Sequence, residues 1–305
     1  MKEKTTETIN LTIKKILENY ESKELFTCKD GRNMPSRAAI IDIIHEVKNI
    51  VFPGYFDREN IAGEFSGYFA AERLAHVYSS LKSQIKAALI YSGSSASEAS
   101  ESAEDTSAHF VAQLPNIQDK MLKDVQAGFD GDPAAKSKED IIISYPGLFA
   151  IFVYRIAHVL YCSQVPFIPR IMTEYAHNKT GIDINSGAQI GEYFFIDHGT
   201  GIVIGETCSI GNYVKLYQGV TLGALSTRSG QQLSGVKRHP TIGNNVTIYA
   251  GSTILGGETV IGEECIIGGN CFITKSVPPH TKVSLKEPEL VFKGPKKPGI
   301  CGWEI

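Results

Sequence analysis

The sequence is poor in the features that mark disulfide-bonded, nucleic-acid-binding and membrane proteins. Its six cysteines form no Cys-x-x-Cys pair, so neither a disulfide framework nor a zinc site is indicated, and a reducing compartment is expected. A formal charge of -3 over 305 residues excludes a broadly basic surface for nucleic acid. The most apolar run, 148–161, is shorter than the roughly 18 residues of a membrane span and contains Arg155 and His158. No apolar stretch follows the charged N-terminus, so we expect a cytoplasmic protein without a secretory signal.

The first half of the chain has helical periodicity. A length of 305 residues predicts two domains, or one domain with a repeat array. Apolar residues recur at spacings of three and four, which predicts helices over 39–51, 69–91, 117–129 and 146–177, the last interrupted by Pro166 and Pro169. The segment 92–107 is low in complexity and almost free of apolar side chains, so it is expected to be a mobile loop.

From about residue 182 the apolar spacing changes to six. This period fits neither a helix nor simple strand alternation, but it suits short strands separated by corners and stacked into a solenoid, with three hexads to each triangular coil. Fourteen positions follow it, and all are aliphatic: Ile184, Ile190, Ile196, Ile202, Ile204, Ile210, Leu216, Leu222, Ile242, Ile248, Ile254, Ile261, Ile267 and Ile273.

A second column, four positions after each aliphatic site, holds mostly small residues. Three of the six cysteines, Cys208, Cys265 and Cys271, fall in this column. The pattern favours small side chains that fill a buried corner over cysteines with redox or metal chemistry.

The repeat is broken once, by an inserted loop over about 224–237. No acidic residue occurs between Glu206 and Glu258. The basic side chains of that stretch are Lys215, Arg228, Lys237, Arg238 and His239. A long insertion without acidic groups indicates a site for a phosphate or carboxylate ligand, and a merely solvated basic loop is the alternative.

A second polar concentration, IDHGTGIVIGE, places Asp197 and His198 among glycines at a phase break. A histidine here is a candidate general base, because the glycines let a substrate approach the backbone. Asp183 lies about one coil earlier, so its carboxylate could stack behind the imidazole and fix the tautomer. A purely structural histidine is the alternative.

These segments together resemble one enzyme family. The hexad ladder, IDHGTGIVIGE, KRHPTIG and SVPPHT, with the helical SYPGLFAIFVYRIAHVLY and the loop GDPAA, resemble serine O-acetyltransferase, a hexapeptide-repeat acyltransferase, over about 130–281. The resemblance implies an α-helical domain (1–178), a left-handed parallel β-helix (179–281) and a C-terminal tail (282–305). It also implies a homotrimer with active sites between subunits; pairing of trimers into a hexamer stays open.

The resemblance assigns roles to residues. It implies that His198 is the general base and Asp183 its orienting carboxylate, that Asp132 and Asp197 receive the amino group of serine, that Arg238 holds the serine carboxylate, and that His239 contacts the substrate. Acetyl-CoA, the co-substrate, would lie against the backbone near Gly223, Ala224, Ala250, Gly251, Gly268 and Gly269. No metal is required. Cysteine is an expected feedback inhibitor, and the terminal Ile305 could bind O-acetylserine sulfhydrylase.

The chain departs from the family in three places. Asn185 stands where a histidine is frequent, the loop 226–237 is longer than the usual glycine-rich form, and the tail after SVPPHT differs. Three alternatives remain: another hexapeptide acyltransferase acting on a sugar, antibiotic or sugar nucleotide; the metal-dependent carbonic anhydrase of the same solenoid, which needs three histidine ligands; and a scaffold that only displays its tail.

Overall fold

The computed structural model describes residues 2–21, 33–56, 66–226, 228 and 230–286. Helices precede a β-solenoid in these ranges. The helices are α1 (Lys2–Glu21), α2 (Arg37–Val51), α3 (Ser66–Tyr91), α4 (Ala96–Gly131), α5 (Lys138–Ser144), α6 (Pro146–Cys162) and α7 (Ile168–Thr180). Helix α7 ends at Gly181, which adopts a left-handed conformation with φ 69°.

The N-terminal helices pack through amphipathic faces. In α2 the buried residues follow a spacing of three and four, and Ser36 caps the helix by accepting a hydrogen bond from the amide of Ala39. Helix α6 is buried over most of its length, and Pro146 occupies its first turn, where no amide donor is needed. This arrangement confirms the helical character predicted for the first half.

The predicted mobile loop over 92–107 is wrong for residues 96–107, which form the first turns of α4. Ser95 and Glu98 form a capping box, in which each side chain accepts a hydrogen bond from the amide of the other. Ala99, Ala103 and Ser107 are fully buried at a spacing of four. Because these side chains are small, α4 can lie close against α3. This close packing stabilises the helix although the segment contains few large apolar side chains.

The second half forms a left-handed parallel β-helix of about five turns, which confirms the fold predicted from the six-residue period. Its strands are β1 (Asp183–Ile184), β2 (Gln189–Ile190), β3 (Phe195–Asp197), β4 (Val203–Ile204), β5 (Ser209–Ile210), β6 (Lys215–Tyr217), β7 (Thr221–Gly223), β8 (Thr241–Ile242), β9 (Thr247–Ile248), β10 (Thr253–Leu255), β11 (Val260–Ile261), β12 (Ile266–Ile267), β13 (Phe272–Ile273) and β14 (Lys282–Val283).

The strands make three parallel sheets, one for each side of the triangular coil. Sheet 1 has the order β1-β4-β7-β10-β13, sheet 2 the order β11-β8-β5-β2, and sheet 3 the order β14-β12-β9-β6-β3. The aliphatic positions align in register, as with Ile184 beside Ile204 in sheet 1 and Ile190 beside Ile210 in sheet 2. Thirteen of the fourteen positions lie on strands, one on each of β1 to β13, whereas Ile202 lies in the turn between β3 and β4. All fourteen are buried except Ile190, which is partly buried against the core. The six-residue period thus reflects one inward side chain for each side of the coil.

Two corners of the solenoid are named for the sheets that they join. Corner 3–1 joins sheet 3 to sheet 1 and comprises 198–202, 218–220, 249–252 and 268–271. Corner 1–2 joins sheet 1 to sheet 2 and comprises 185–188, 205–208, 224–240 and 256–259. The inserted loop leaves the solenoid at corner 1–2 and contains a short 3₁₀ helix, Gly230–Leu233. Cys208, Cys265 and Cys271 are buried, as expected for small corner residues.

A buried ion pair joins the helices to the first coil. The Asp124 carboxylate of α4 accepts hydrogen bonds from Arg155 Nε at 2.6 Å and Nη2 at 2.9 Å. Arg155 Nη2 also donates to the Gly191 carbonyl at 2.8 Å, and Asp124 accepts from the Phe194 amide at 2.9 Å. These bonds hold α4 and α6 against the start of the solenoid.

The helices of the described ranges differ from a bilayer-spanning segment. None of them alone combines the length and the apolar character of a membrane-crossing helix. Taken together, helices α5 and α6 have the length and apolar composition of such a helix, but they are bent by 73° at their junction.

Candidate active site

His198 lies at corner 3–1, immediately after β3. Its backbone has φ 58°, and Gly199 and Gly201 follow with φ 88° and 82°. This run of left-handed conformations turns the chain sharply, so the imidazole projects from the corner with 71% of its side chain exposed. The predicted base is therefore accessible to a substrate.

The carboxylate beside the imidazole is that of Asp197. Its Oδ1 lies 3.8 Å from His198 Nε2, and its Oδ2 lies 3.8 Å from Lys215 Nζ. Only 12% of the Asp197 side chain is exposed. Asp197 and Lys215 belong to the adjacent strands β3 and β6, so the sheet register brings the two side chains together.

Asp132 reaches the same place from the helical domain. It caps the C-terminus of α4; one carboxylate oxygen accepts from the Ala134 amide at 2.8 Å, and the other accepts from the Tyr145 hydroxyl at 2.6 Å. The pKa of Asp132 is lowered, first by the Tyr145 hydrogen bond, then by the Ala134 amide, with smaller contributions from the charges of Lys215 and His198. The Asp132 carboxylate is thereby held in its charged form.

Lys215 connects the two carboxylates. Its ammonium donates to the Gly131 carbonyl, next to Asp132, and lies 4.7 Å from the ring centroid of Tyr217. Asp132, Asp197, His198 and Lys215 thus form one cluster, which we call the corner cluster. Two negative and two basic groups meet there, at the contact of α4 with β3 and β6.

Asp183 is not part of the corner cluster. It lies on β1 in register with Val203, on the outer surface of sheet 1, since the following Ile184 points inward. Among the described residues, no hydrogen bond or ion pair joins Asp183 to His198. Its role as the orienting carboxylate stays a prediction.

Arg238 and His239 lie at corner 1–2, on another edge of the solenoid. Arg238 forms an ion pair with Glu206, and its Nη1 donates to the Leu233 carbonyl at 3.0 Å. Glu206 also accepts from the Tyr161 hydroxyl at 3.0 Å, and the pKa of Glu206 is lowered, first by the Arg238 hydrogen bond. The guanidinium is thus oriented by groups of this chain.

His239 is held as a neutral imidazole. It is 8% exposed, and its Nδ1 accepts a hydrogen bond from the Thr207 amide at 3.1 Å. Burial, and then the neighbouring Arg238 charge, lower its pKa to about 4. Its ring packs on Gly205, where an added Cβ would lie 2.1 Å from the ring carbon Cδ2. Nε2 therefore carries the proton and is the remaining polar atom of this ring.

The residues predicted for acetyl-CoA divide between the two corners. Ala250, Gly251, Gly268 and Gly269 lie at corner 3–1, whereas Gly223 and Ala224 lie where the chain enters the inserted loop at corner 1–2.

Three glycines stack in successive coils at corner 3–1: Gly201, Gly219 and Gly251. We call them the glycine column. A Cβ at Gly201 would lie 3.5 Å from Gly219, and one at Gly219 would lie 3.4 Å from Gly251. Gly219 and Gly251 both have φ 72°, a left-handed conformation that disfavours larger residues. The exposed backbone of this edge suits close approach of an extended ligand.

Several contributing groups were not predicted from the sequence as site residues. Tyr145 and Tyr161 lie on or beside α6, and Glu206 and Thr207 follow Gly205. The sequence predicts Lys215 and Arg238 as ligands for an anion, but each also pairs with a carboxylate of the chain. Those carboxylates lie outside the acid-free stretch, so the composition of that stretch could not reveal them.

In the parts of the chain that the structure describes, no group of three or more His, Cys, Asp and Glu side chains is arranged to hold a metal ion.

Comparison with known proteins identifies similar sequences and structures. No family model matches the sequence. The chain is 41% identical over 229 residues to the plasmid serine acetyltransferase of Synechococcus elongatus, covering 72% of each chain. It is 52% identical over 134 residues to the serine acetyltransferase of Bacillus licheniformis, covering 44% of this chain and only 59% of that relative.

Two similar solved structures come from Entamoeba histolytica. Serine acetyltransferase isoform 3 in complex with cysteine has a TM-score of 0.72 and 33% identity, covering 92% of this chain and 94% of that one. Serine acetyltransferase 1 in complex with L-cysteine has a TM-score of 0.70 and 34% identity, covering 88% and 94%. The similarity therefore extends over both the helices and the solenoid.

Proposed function

The chain belongs to the serine acetyltransferase family and is an acyltransferase, and from this premise we propose its substrates, residue roles and regulation. It transfers the acetyl group of acetyl-CoA to the hydroxyl of L-serine, giving O-acetylserine and CoA, the first step of cysteine synthesis. The observation that supports this function best is the corner cluster, in which two carboxylates lie next to an exposed imidazole.

The carboxylates suit the amino group of serine. Asp132 is charged, and Asp197 lies 3.8 Å from Lys215, too far for a hydrogen bond, so both can accept from an ammonium group. An amino acid bound there would have its hydroxyl close to His198. Neutral sugars lack such an ammonium group.

His198 acts as the general base in this proposal. Its imidazole removes the proton of the serine hydroxyl while the oxygen attacks the thioester carbonyl of acetyl-CoA. Backbone amides at the glycine-rich corner stabilise the resulting oxyanion. The imidazolium then returns the proton to the departing CoA thiolate, so the same residue serves both halves of the reaction.

Two carboxylates are candidates for orienting His198. Asp197 supports this role by its distance of 3.8 Å, and Asp183 by the one-coil spacing of the sequence. Replacing each by asparagine separates them. If Asp183 orients His198, Asp183→Asn lowers kcat and shifts the pH profile while the KM for serine is retained; if Asp197 does so besides binding serine, Asp197→Asn changes the pH profile and raises the KM as well.

A homotrimer would complete the site. Arg238 and His239 lie at corner 1–2, whereas the corner cluster lies at corner 3–1. Neither corner of a single chain therefore holds all the predicted catalytic and serine-binding residues. If corner 1–2 of one subunit faces corner 3–1 of the next, Arg238 can bind the serine carboxylate and the Nε2–H of His239 can contact the substrate. Acetyl-CoA would then lie between subunits, along the glycine column and near Gly223 and Ala224 of the facing chain.

We also propose that cysteine inhibits the enzyme by occupying the serine site. Cysteine has the same ammonium and carboxylate groups as serine and replaces only the hydroxyl by a thiol. The Entamoeba histolytica structures, which were solved with cysteine, support this proposal.

The predicted contact of Ile305 with O-acetylserine sulfhydrylase lies outside the described residues. A pull-down with the full chain and with a chain lacking only Ile305 tests it. Equal recovery of the sulfhydrylase by both chains would remove the tail from this role.

The proposed reaction is tested by CoA thiol release from acetyl-CoA, with L-serine compared against sugar and other hydroxyl acceptors. We expect release with serine and its loss when His198 is replaced. Equal rates with a sugar acceptor would instead favour another hexapeptide acyltransferase.

A further inference from the structure

Lys215 has a fixed place between the helical domain and the solenoid. It lies on β6 in register with Phe195 of β3, and 19% of its side chain is exposed. Its ammonium donates a hydrogen bond to the carbonyl of Gly131, the last residue of α4. The same nitrogen lies 5.0 Å from the ring centroid of Phe195 and 4.7 Å from that of Tyr217. A carbonyl and two aromatic rings therefore surround the ammonium, and we call these three groups the lysine cage.

The two rings of the lysine cage are held by their neighbours. Phe195 is 5% exposed and packs on α4, where a Cβ at Gly131 would lie 2.8 Å from its ring carbon Cδ1. Tyr217 stacks on Tyr249 of the next coil, with ring centroids 4.9 Å apart and 16° between the ring planes. The position of the ammonium is therefore set by packed groups and not by the carboxylates near it.

The Asp197 carboxylate lies just beyond hydrogen-bonding distance of this ammonium. Asp197 Oδ2 is 3.8 Å from Lys215 Nζ, a distance at which charges attract although no hydrogen bond forms. Only 12% of the Asp197 side chain is exposed, and its carboxylate accepts no hydrogen bond from any residue that the structure describes. A buried carboxylate needs a nearby cation to offset its lost hydration. Lys215 supplies the cation but leaves the acceptor oxygens of Asp197 open.

Lys215 also acts on Asp132. Gly131 directly precedes Asp132, so the hydrogen bond from Lys215 fixes the backbone that carries this second carboxylate. The pKa of Asp132 is lowered first by the Tyr145 hydrogen bond, and the Lys215 charge adds a smaller contribution in the same direction. One lysine thus acts on both carboxylates of the corner cluster, one at the end of α4 and one on β3.

The charges of the corner cluster fit a ligand with one ammonium group. The two ionised carboxylates outweigh the single charge of Lys215, so one negative charge remains while the imidazole of His198 is neutral. A ligand ammonium neutralises this charge and supplies the hydrogen-bond donors that Lys215 does not give to Asp197. A ligand without an ammonium group leaves both requirements unmet.

We propose that Lys215 is a positioning residue that makes the corner cluster selective for acceptors with an ammonium group. It offsets one carboxylate charge, holds Asp132 through the Gly131 carbonyl, and is kept by the lysine cage from occupying the oxygens of Asp197. The ammonium of the acceptor then completes the cluster. This inference rests on the proposed function, in which the acceptor is serine.

Selectivity is tested by titration calorimetry without acetyl-CoA, with L-serine and with 3-hydroxypropionate, which lacks only the ammonium group. We expect the unaltered chain to bind L-serine at least tenfold more tightly. In Lys215→Met this ratio should fall at least threefold, because Asp197 loses its charge partner and Gly131 its hydrogen bond. A purely structural disturbance would weaken the binding of both ligands alike and leave the ratio unchanged.

Kinetics separate this role from the chemical step. In Lys215→Met the KM for serine should rise at least tenfold while kcat falls less than threefold, since no hydrogen bond or ion pair of the described residues joins Lys215 to His198. Lys282→Met is the matched control, because this exposed lysine lies in the same outward column of sheet 3 and should not affect the KM for serine. The column runs through Lys215, Thr247, Ile266 and Lys282.

The charge itself is tested by rescue. Lys215→Ala keeps only the Cβ, and n-propylammonium has the carbons and the nitrogen that this variant lacks. Added n-propylammonium should lower the serine KM of Lys215→Ala at least threefold, whereas neutral 1-propanol should leave it unchanged. Neither additive should lower the KM of the unaltered chain. Circular dichroism verifies that the variants are folded.

An unchanged ratio of affinities in Lys215→Met, or a loss of kcat that matches the rise in KM, would overturn the inference. Absence of rescue, equal rescue by 1-propanol, or an equal rise in KM for Lys282→Met would overturn it as well. Failure of the proposed function is a different result, because it would appear as no release of CoA thiol from acetyl-CoA and L-serine by the unaltered chain.

Discussion

His198 Nε2 lies 3.8 Å from the Asp197 carboxylate, at a solenoid corner where the histidine backbone has φ 58°. His280 provides a close parallel elsewhere in the solenoid: it has φ 56°, is exposed, and its Nδ1 lies 3.0 Å from the Glu264 carboxylate. His280 has no counterpart of Asp132 or Lys215 among its hydrogen bonds and ion pairs in the described structure. The two histidines therefore share their backbone geometry and differ in their surroundings.

This pair defines the first prediction. His198→Asn should lower kcat by ~10²- to 10⁴-fold, because a positioned general base contributes about that much. Asparagine tolerates left-handed backbone, as Asn245 and Asn270 do here, so the corner should keep its shape. His280→Asn is the matched control and should change kcat less than twofold. Equal losses of kcat in both variants would show that the substitution disturbs the fold and does not act by removing a general base.

The second prediction concerns Asp132. In Asp132→Asn, the KM for serine and the inhibition constant of cysteine should rise together by about tenfold, as expected for loss of one charge-assisted hydrogen bond. Rates are followed by thioester absorbance, because the thiol of cysteine would interfere with thiol detection. Asp130→Asn removes an exposed neighbouring carboxylate and should change neither constant. A rise in only one constant would contradict a shared site.

The third prediction uses the packing of His239 on Gly205. Gly205→Ala places a Cβ 2.1 Å from the ring, so the imidazole must move and the serine KM should rise by about tenfold or more. Gly67→Ala is the control, since a Cβ there meets nothing within 4 Å and the residue lies in α3. Circular dichroism and melting temperature verify that both variants are folded. An unchanged KM in folded Gly205→Ala would argue against a substrate contact by His239.

The fourth prediction concerns pH. The pKa of His239 is lowered to about 4 in the folded chain, whereas an unfolded histidine titrates near 6.5. Between these values the unfolded state binds more protons, so the free energy of unfolding should fall as the pH decreases from 7.5 to 5, by at most about 2 kcal/mol from this group. Urea unfolding of the chain and of His239→Gln measures the difference.

His239→Gln should lack this contribution, so its stability should decline less over the same pH range. His76→Gln removes an exposed histidine and serves as the control. If the unaltered chain and His239→Gln lose stability in parallel, the neutral buried state of His239 is wrong.

The fifth prediction concerns the ion pair between Asp124 and Arg155. Asp124→Asn leaves a buried guanidinium without its carboxylate, and removal of one partner of a buried pair costs roughly 3–5 kcal/mol of unfolding free energy. Glu104→Gln disrupts the exposed pair of Glu104 with Lys82 and should leave stability unchanged within error. Chemical denaturation measures both. A small loss in Asp124→Asn would mean that the helices do not depend on this contact to hold the first coil.

The low-complexity segment shows where composition misleads. Ser95 and Glu98 form a cap that can be found in the sequence, yet residues 96–107 lack the apolar side chains that normally predict a helix. Their order depends on tertiary packing: Ala99 and Ala103 are fully buried, and α4 packs against α3, a contact that local sequence does not contain. The expectation of a loop failed because close packing of small residues can stabilise a helix without large apolar groups.

The amino-acid sequence by itself determined the solenoid, since a six-residue aliphatic period is a local pattern with one inward side chain for each side of the coil. It also identified His198 and Asp197, which lie in one motif. The family resemblance assigned Asp132 to the same substrate group as Asp197, and the tertiary structure shows that Asp132 approaches from α4. Only the tertiary structure decided that Glu206 pairs with Arg238 and that Asp183 makes no bond to His198. Such neighbours depend on how distant elements pack and on the register of adjacent coils, and no local spacing encodes either.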